Sequence, residues 1–358
     1  MKTLTITLHD TDNCGSSLQA FALQHFLITH GIDNEIIDYV PSYTQNNGSP
    51  IKTFIRNIIF RKSYLQRRKK FQNFINKNLK LTKKKYKTYL ELKNNPPQAD
   101  VYITGSDQLW NNSYSCGNDP GFYLNFVNKK NAKKISYAVS IGKCNVNEND
   151  LKFVKEYGND FKWISLREKI NVGDVKNVVN EVPVVHVCDP VLLNDAKEYD
   201  KIKKFRIIED KYILVYVAQA INKLELNRIV KEIANRNGLK IVFIGTYRSK
   251  CDCDFHIKDM DPGDFLSLIY NAEYIISNSF HATMFSLIYN KQFIAILPKE
   301  NGNRISEILE LTNLENHIYG NFEKIPYIAS EKYIEINKIL KTFKEKSKKL
   351  FLKNFNYS

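Results

Sequence analysis

A strand-like run, Glu273 to Ile276, leads without a break into Ser277-Asn-Ser-Phe-His-Ala-Thr-Met-Phe-Ser286. The run has strand length, and the apolar spacing that follows is helical as far as Asn290. Ser277, Asn278 and Ser279 are all good capping types, so a strand must give way to a helix start within three residues. That junction favours a fold in which strands feed helices. It also presents unsatisfied backbone N–H groups at a helix end, where the dipole attracts anions. His281 falls in the first turn, and it is the one side chain there that can both give and take a proton near neutral pH. This stretch alone leaves two readings open: a capped helix with an incidental histidine, and an anion-binding helix end carrying an acid/base.

The same strand-to-helix alternation recurs along the chain. Thr3–Leu8, Glu35–Val40, Val101–Thr104, Lys134–Ile141, Trp163–Arg167 and Val184–Cys188 read as strands, with a helix over Ser17–His30 and another over Glu148–Tyr157. A polar crossing, residues 194–211, separates this series from a second one that starts at Tyr212. The second series has helices over Asn222–Asn237 and after Asp261-Pro-Gly263, strands over Lys240–Ile244 and Gln292–Leu297, and a helix over Ser306–Leu311. A length of 358 residues fits two cores better than one. The expected architecture is therefore two Rossmann-like α/β domains, 1–193 and 212–330, followed by a basic amphipathic helix in 331–358.

Three loops at expected strand ends carry further candidates. Cys14-Gly-Ser-Ser17 puts Gly15 and Ser16 at a helix start, suited either to close approach by an anion or to a tight turn. Gly105-Ser-Asp-Gln108 turns off a buried strand, so Asp107 or Gln108 can bond a sugar hydroxyl, or Asp107 can simply cap the next turn. Arg167 ends another strand beside Glu168, as a surface ion pair or as a planar clamp for carboxylate or phosphate. No G-x-G-x-x-G follows the first strand, so nothing points to a dinucleotide.

Charge is unevenly placed. The chain carries 53 Lys and Arg against 38 Asp and Glu, a net of +15. Tyr39 to Leu90 contains no acid and fourteen basic residues, which leaves 39 basic against 38 acidic elsewhere. Within this tract, an insertion over about 41–98, Ile51, Phe54, Ile55, Ile58 and Ile59 share one helical face. A basic amphipathic helix of this kind suits an anionic membrane surface, and its charge alone also suits nucleic acid or a solvated face. Six scattered cysteines form no zinc pattern, and the first residues reach His9 and Asp10 too soon for a signal segment, so a cytoplasmic location is expected.

Taken together, Asn13–Leu23, Asp100–Asn111, Ser165-Leu-Arg-Glu168 with Cys188-Asp-Pro190, and Ser277–Ser286 resemble the polysaccharide pyruvyl transferase family from about Leu4 to about Leu314. The resemblance implies a GT-B-like pair of domains. It implies transfer of the enolpyruvyl group of phosphoenolpyruvate to two hydroxyls of one sugar, giving a cyclic ketal and free phosphate. By this resemblance His281 is the catalytic acid/base and Arg167 the clamp on the anionic donor, with Gly15, Ser16, Gly105, Ser106, Asp107, Gln108, Ser279 and Phe280 binding substrate. Ala282 stands where a glycine commonly follows the histidine. No cofactor is expected and no metal is obligatory. The expected partners are phosphoenolpyruvate, a glycan acceptor that is free or lipid-linked, and an anionic surface at the inner membrane face. The competing readings are a GT-B nucleotide-sugar glycosyltransferase, a glycan-binding scaffold without catalysis, and a nucleic-acid binder, which leaves the strand-end motifs unused.

Overall fold

The computed structural model describes residues 1–44, 61–128, 131–217, 221–245, 248–320 and 324–355. The apolar stripe from Ile51 to Ile59 lies outside them.

The first half is built from β1 (Lys2–Ile6), α1 (Cys14–Thr29), β2 (Asp33–Tyr39), α2 (Arg61–Asn78), β3 (Leu81–Tyr86), α3 (Tyr89–Asn94), β4 (Val101–Thr104) and β5 (Lys133–Ser136). Its strands form one parallel sheet in the order β3-β2-β1-β4-β5. After α4 (Lys152–Tyr157), the short parallel pair β6 (Ile164–Leu166) and β7 (Val184–His186), separated by α5 (Val172–Lys176), continues this layer through single bridges from Ile135 to Trp163 and from Val139 to Leu166. The helix α6 (Ala196–Asp200) leads across to the second half.

The second half repeats the plan with β8 (Tyr212–Tyr216), α7 (Lys223–Asn237), β9 (Lys240–Ile244), β10 (Phe255–Ile257), α8 (Pro262–Asn271), β11 (Tyr274–Ser277), α9 (Phe280–Ile288) and β12 (Gln292–Ala295). Its sheet is also parallel, in the order β10-β9-β8-β11-β12. Two helices follow, α10 (Asn303–Leu311) and α11 (Ser330–Leu352). Among the described residues no helix is long and apolar enough to cross a membrane.

Most expected elements are present, with boundaries set by local chemistry. Helix α1 begins three residues early because Asn13 caps it, its side chain accepting from Gly15 N at 2.9 Å and Ser16 N at 3.4 Å. The strand expected to reach Ile141 ends at Ser136; Ala138 takes a positive φ of 48°, and only Val139 resumes pairing. Strands β3 and β10 were not expected. Both lie at sheet edges, and Leu81-Thr-Lys-Lys-Lys-Tyr86 hides its strand character behind exposed lysines, a common guard on edge strands.

The two halves share an apolar core. Leu18, Phe21 and Ala22 of α1 join Phe265 and Leu268 of α8 and Phe285 of α9 in one buried cluster. Helix α11 then crosses back to the first half, where Phe351 is wholly buried against Phe26, Tyr137 and Trp163 at centroid distances of 6.0, 4.3 and 6.1 Å. The last helix therefore completes the core of the first domain. Phe351→Ala is expected to cost about 3–5 kcal/mol through lost burial and the cavity left behind. A melting temperature equal to wild type would show that α11 is not part of that core.

Candidate active site between the two sheets

In both sheets the chain reverses its winding beside the first strand of the half, between β1 and β4 and between β8 and β11. Open α/β sheets bind ligands at the carboxyl ends of strands at such points. The loop after β1 and the start of α1 supply Asn13, Gly15 and Ser16, the loop after β4 supplies Asp107 and Gln108, and the turn after β11 with the start of α9 supplies Ser279, Phe280 and His281. The site is thus assembled from both domains.

Its centre is a buried polar group. Arg167, at the end of β6, is 5% exposed and donates from Nη1 to Asp189 Oδ2 at 2.9 Å. Its Nε lies 3.6 Å from Glu168 Oε1, and neither Nε nor Nη2 has a hydrogen-bond partner among the described residues. Arg167 is therefore no surface ion pair. Glu168 faces inward instead, accepting from Ser140 Oγ and from Ile141 N. His281 enters from α9, whose start Ser279 caps by accepting from Ala282 N at 3.4 Å. Its Nε2 is 3.7 Å from the same Asp189 Oδ2, too long for a hydrogen bond but close for an ion pair. Burial pushes the Asp189 carboxyl upward, yet His281 and Arg167 outweigh it and hold the group well below the usual carboxylate range.

Phe280 carries two cations. The Arg167 guanidinium carbon is 4.9 Å from its ring centroid, and that of Arg304, on α10, is 5.6 Å away. Burial pushes Arg304 down to about 10, and the neighbouring Arg167 charge adds to the shift, partly offset by Glu168, Asp107 and Tyr114. Arg304 Nε is also buried without a hydrogen-bond partner among the described residues. These guanidinium groups repel each other while keeping donors unused. An anion seated beside Phe280 would relieve both. They open onto a cavity of about 500 Å³ of mixed charge, which also receives Lys169 and Lys346 and the carboxylates of Asp189, Glu307 and Glu310.

A second cavity of about 440 Å³ lies on the first domain, with Ser16, Asp107 and Gln108 in its wall. Asp107 has a φ of 83°, uncommon outside glycine, and accepts from Ser16 Oγ at 2.5 Å and from Gln108 N at 2.8 Å. Gly105 and Ser106 lie beneath this wall. Ser106 is wholly buried, with its hydroxyl donating to Ala138 O and its N–H to Gln19 Oε1. A Cβ on Gly105 would stand 2.2 Å from Tyr137 O. Both residues shape the turn that aims Asp107.

Asp189 and Arg304 were not identified from sequence as site residues. Asp189 sits within Cys188-Asp-Pro190, where the following proline reads as a turn signal and gives no hint of a buried, paired carboxylate. Arg304 had no motif around it, and only the packing of α10 brings it to Phe280. Among the described residues no cluster of His, Cys, Asp or Glu can hold a metal ion.

Gly15 is required by close approach. A Cβ there would lie 2.2 Å from His281 Nδ1, and the imidazole is 7% exposed with little room to yield. In an open helix, Gly→Ala stabilises by about 0.5–1 kcal/mol. Here Gly15→Ala is expected to push the ring off Asp189 and reduce catalysis that uses this histidine by about 100-fold, with a lower melting temperature from overpacking of about 1–3 kcal/mol. Undiminished turnover would show that the ring has space.

A family model described as "Polysaccharide pyruvyl transferase" matches residues 13–300, which include every motif residue above, while Arg304 lies beyond the match. No curated protein matches the sequence. Among solved structures, UDP-N-acetylglucosamine 2-epimerase from Rickettsia bellii is similar at TM-score 0.53 and 11% identity, over 96% of this chain and 88% of that one. The UDP-GlcNAc 2-epimerase from Methanocaldococcus jannaschii is similar at TM-score 0.51 and 14% identity, over 99% and 100% of the two chains. At these identities the likeness shows the fold alone, the GT-B arrangement of two Rossmann-like domains. With the family model covering most of its length, the chain belongs to the polysaccharide pyruvyl transferase family.

Proposed function

We propose that this protein moves the enolpyruvyl group of phosphoenolpyruvate onto two hydroxyls of one sugar in a polysaccharide precursor, forming a cyclic pyruvate ketal and releasing phosphate. The observation that carries this reading is the pair of guanidinium groups around Phe280, with buried unused donors, next to a histidine paired with a buried carboxylate. A small donor with both a carboxylate and a phosphate suits such a niche, since each planar guanidinium can take a two-point anion contact.

Chemistry follows from the placement. His281, as imidazolium stabilised by Asp189, gives a proton to the methylene carbon of the donor. Positive charge then develops at the neighbouring carbon, and a sugar hydroxyl adds there and loses its proton. Phosphate departs with the bond electrons, assisted by cationic contacts of the kind Arg167 and Arg304 provide. A second hydroxyl closes the ring and loses its proton. Of the two hydroxyl protons, one replaces that given by His281 and the other leaves with phosphate, so atoms and charge balance.

Phosphoenolpyruvate is expected to raise the melting temperature of wild type, with UDP-N-acetylglucosamine and duplex DNA having no comparable effect. A stabilisation by the nucleotide sugar alone would favour the glycosyltransferase reading and remove this one. His281→Ala is expected to bind the donor and to lose turnover by at least about 100-fold; near-wild-type turnover would exclude the histidine from the proton path. Arg167→Lys and Arg304→Lys are each expected to weaken donor binding about tenfold, because an ammonium cannot reproduce the planar contact. Unchanged affinity in both variants would leave the niche without an anion.

A further inference from the structure

Helix α10 carries Arg304 to Phe280, and Glu307 follows three positions later on the same helix. At that spacing the two side chains are neighbours on one side of the helix. Glu307 reaches across the seam between the domains to the loop that follows Arg167 and Glu168. Its Oε2 accepts from Lys169 N at 2.8 Å and its Oε1 from Ile170 N at 3.1 Å, so each oxygen takes one backbone N–H. A second link from α10, Asn303 Nδ2 to Lys143 O, is longer and weaker at 3.5 Å. Burial pushes the Glu307 carboxyl upward, the two N–H groups oppose the shift, and the charges of Glu168 and Glu310 add to it. Such surroundings suit a carboxylate only because the two N–H groups take its charge. Arg304 and Glu307 both lie beyond residue 300, where the family match ends.

The grip bears on the anion niche through geometry. Arg167 is fixed by donating to Asp189 at 2.9 Å, whereas Arg304 Nε has no hydrogen-bond partner among the described residues. The place of Arg304 therefore follows the place of α10. We infer that Glu307 is a positioning residue for this niche: by clasping the Lys169–Ile170 backbone it sets how far Arg304 stands from Arg167. The inference rests on the transfer reading only for naming phosphoenolpyruvate as the anion. Without the clasp, like charge moves Arg304 away from Arg167, and an arriving anion has to draw them together, which weakens binding. With the clasp, the repulsion is met on folding and the donors already face the niche. Glu307 itself does not meet the anion, since both of its oxygens are turned to the backbone.

The test is calorimetric titration of the whole chain with phosphoenolpyruvate and, separately, with inorganic phosphate. The variants are Glu307→Ala, Glu307→Gln, Arg304→Ala and the double variant Glu307→Ala with Arg304→Ala. Glu307→Ala is expected to weaken binding of the anion about tenfold. Glu307→Gln keeps the size and one acceptor oxygen, so it is expected to recover part of that loss. In the Arg304→Ala background, Glu307→Ala is expected to change affinity by less than about twofold, because the group it positions is gone. Hydrogen exchange at the Lys169 and Ile170 amides should speed up in Glu307→Ala with or without ligand. A merely structural glutamate would lower the melting temperature and leave the affinity of the folded protein unchanged. The inference is overturned if Glu307→Ala binds both anions as wild type does, if its effect persists in full without Arg304, or if the two amides exchange at the wild-type rate. Should Glu307→Ala fail to fold, the same comparisons with Glu307→Gln decide. Binding of phosphate but not phosphoenolpyruvate to wild type would sink the transfer reading while the phosphate titrations still judge the clasp, and binding of neither would sink both.

Discussion

One buried carboxylate holds the site together. Asp189 receives Arg167 from its own domain and His281 from the other, and its second oxygen accepts from Val191 N at 3.0 Å. Removing such a carboxylate would strand a buried guanidinium, which typically costs about 3–5 kcal/mol. The turn that carries Asp189 is itself braced from outside the sheet. Tyr137 O–H donates to Cys188 O at 3.1 Å, and Cys188 N donates to Ser347 Oγ at 2.9 Å on α11. The burial of Phe351 that seats α11 is thereby linked to the orientation of the histidine. A helix far from the reacting groups in sequence becomes part of their support.

The domain contact is also tuned by small residues and by charge. Gly15 lets the start of α1 touch the His281 ring, a contact no larger residue permits. Across the same seam, Glu307 on α10 accepts from Lys169 N at 2.8 Å and Ile170 N at 3.1 Å. This ties the helix carrying Arg304 to the loop that follows Arg167. The two guanidinium groups are therefore held near each other by backbone contacts, in spite of their repulsion. Positioned donors that need not reorganise when charge develops are what makes electrostatic assistance large.

Much of this was legible in the chain because strand ends and helix caps have local causes. Ser279 as a cap and the apolar runs of β4, β8 and β11 all follow from residues within a few positions of one another. The roles of Asp189 and Arg304 come instead from tertiary packing, Asp189 against His281 and Arg304 against Phe280, for which the sequence holds no period or spacing. Glu168 misled in a related way: the adjacent acid does lie 3.6 Å from Arg167 Nε, but the pair is buried rather than on the surface, and each member has a stronger partner elsewhere. Arg167 donates to Asp189, while Glu168 accepts from Ser140.

The basic tract shows how composition can overstate a surface. Arg68 bonds Asp10 at 2.5 Å and Asp12 at 3.3 Å, Lys85 reaches Asp10 at 3.3 Å, and Lys70 lies 3.5 Å from both Asp259 and Asp264 in the second domain. Each acid belongs to a segment outside the tract, so the missing carboxylates were supplied by the fold. The pairs with Asp10 and Asp12 hold α2 over the loop that leads to Asn13 and Gly15, and Lys70 spans the seam between the domains. Part of the positive charge thus serves to seat a helix beside the site. Among the described residues, the lysines left exposed for an anionic partner include Lys62, Lys69, Lys77, Lys83 and Lys84.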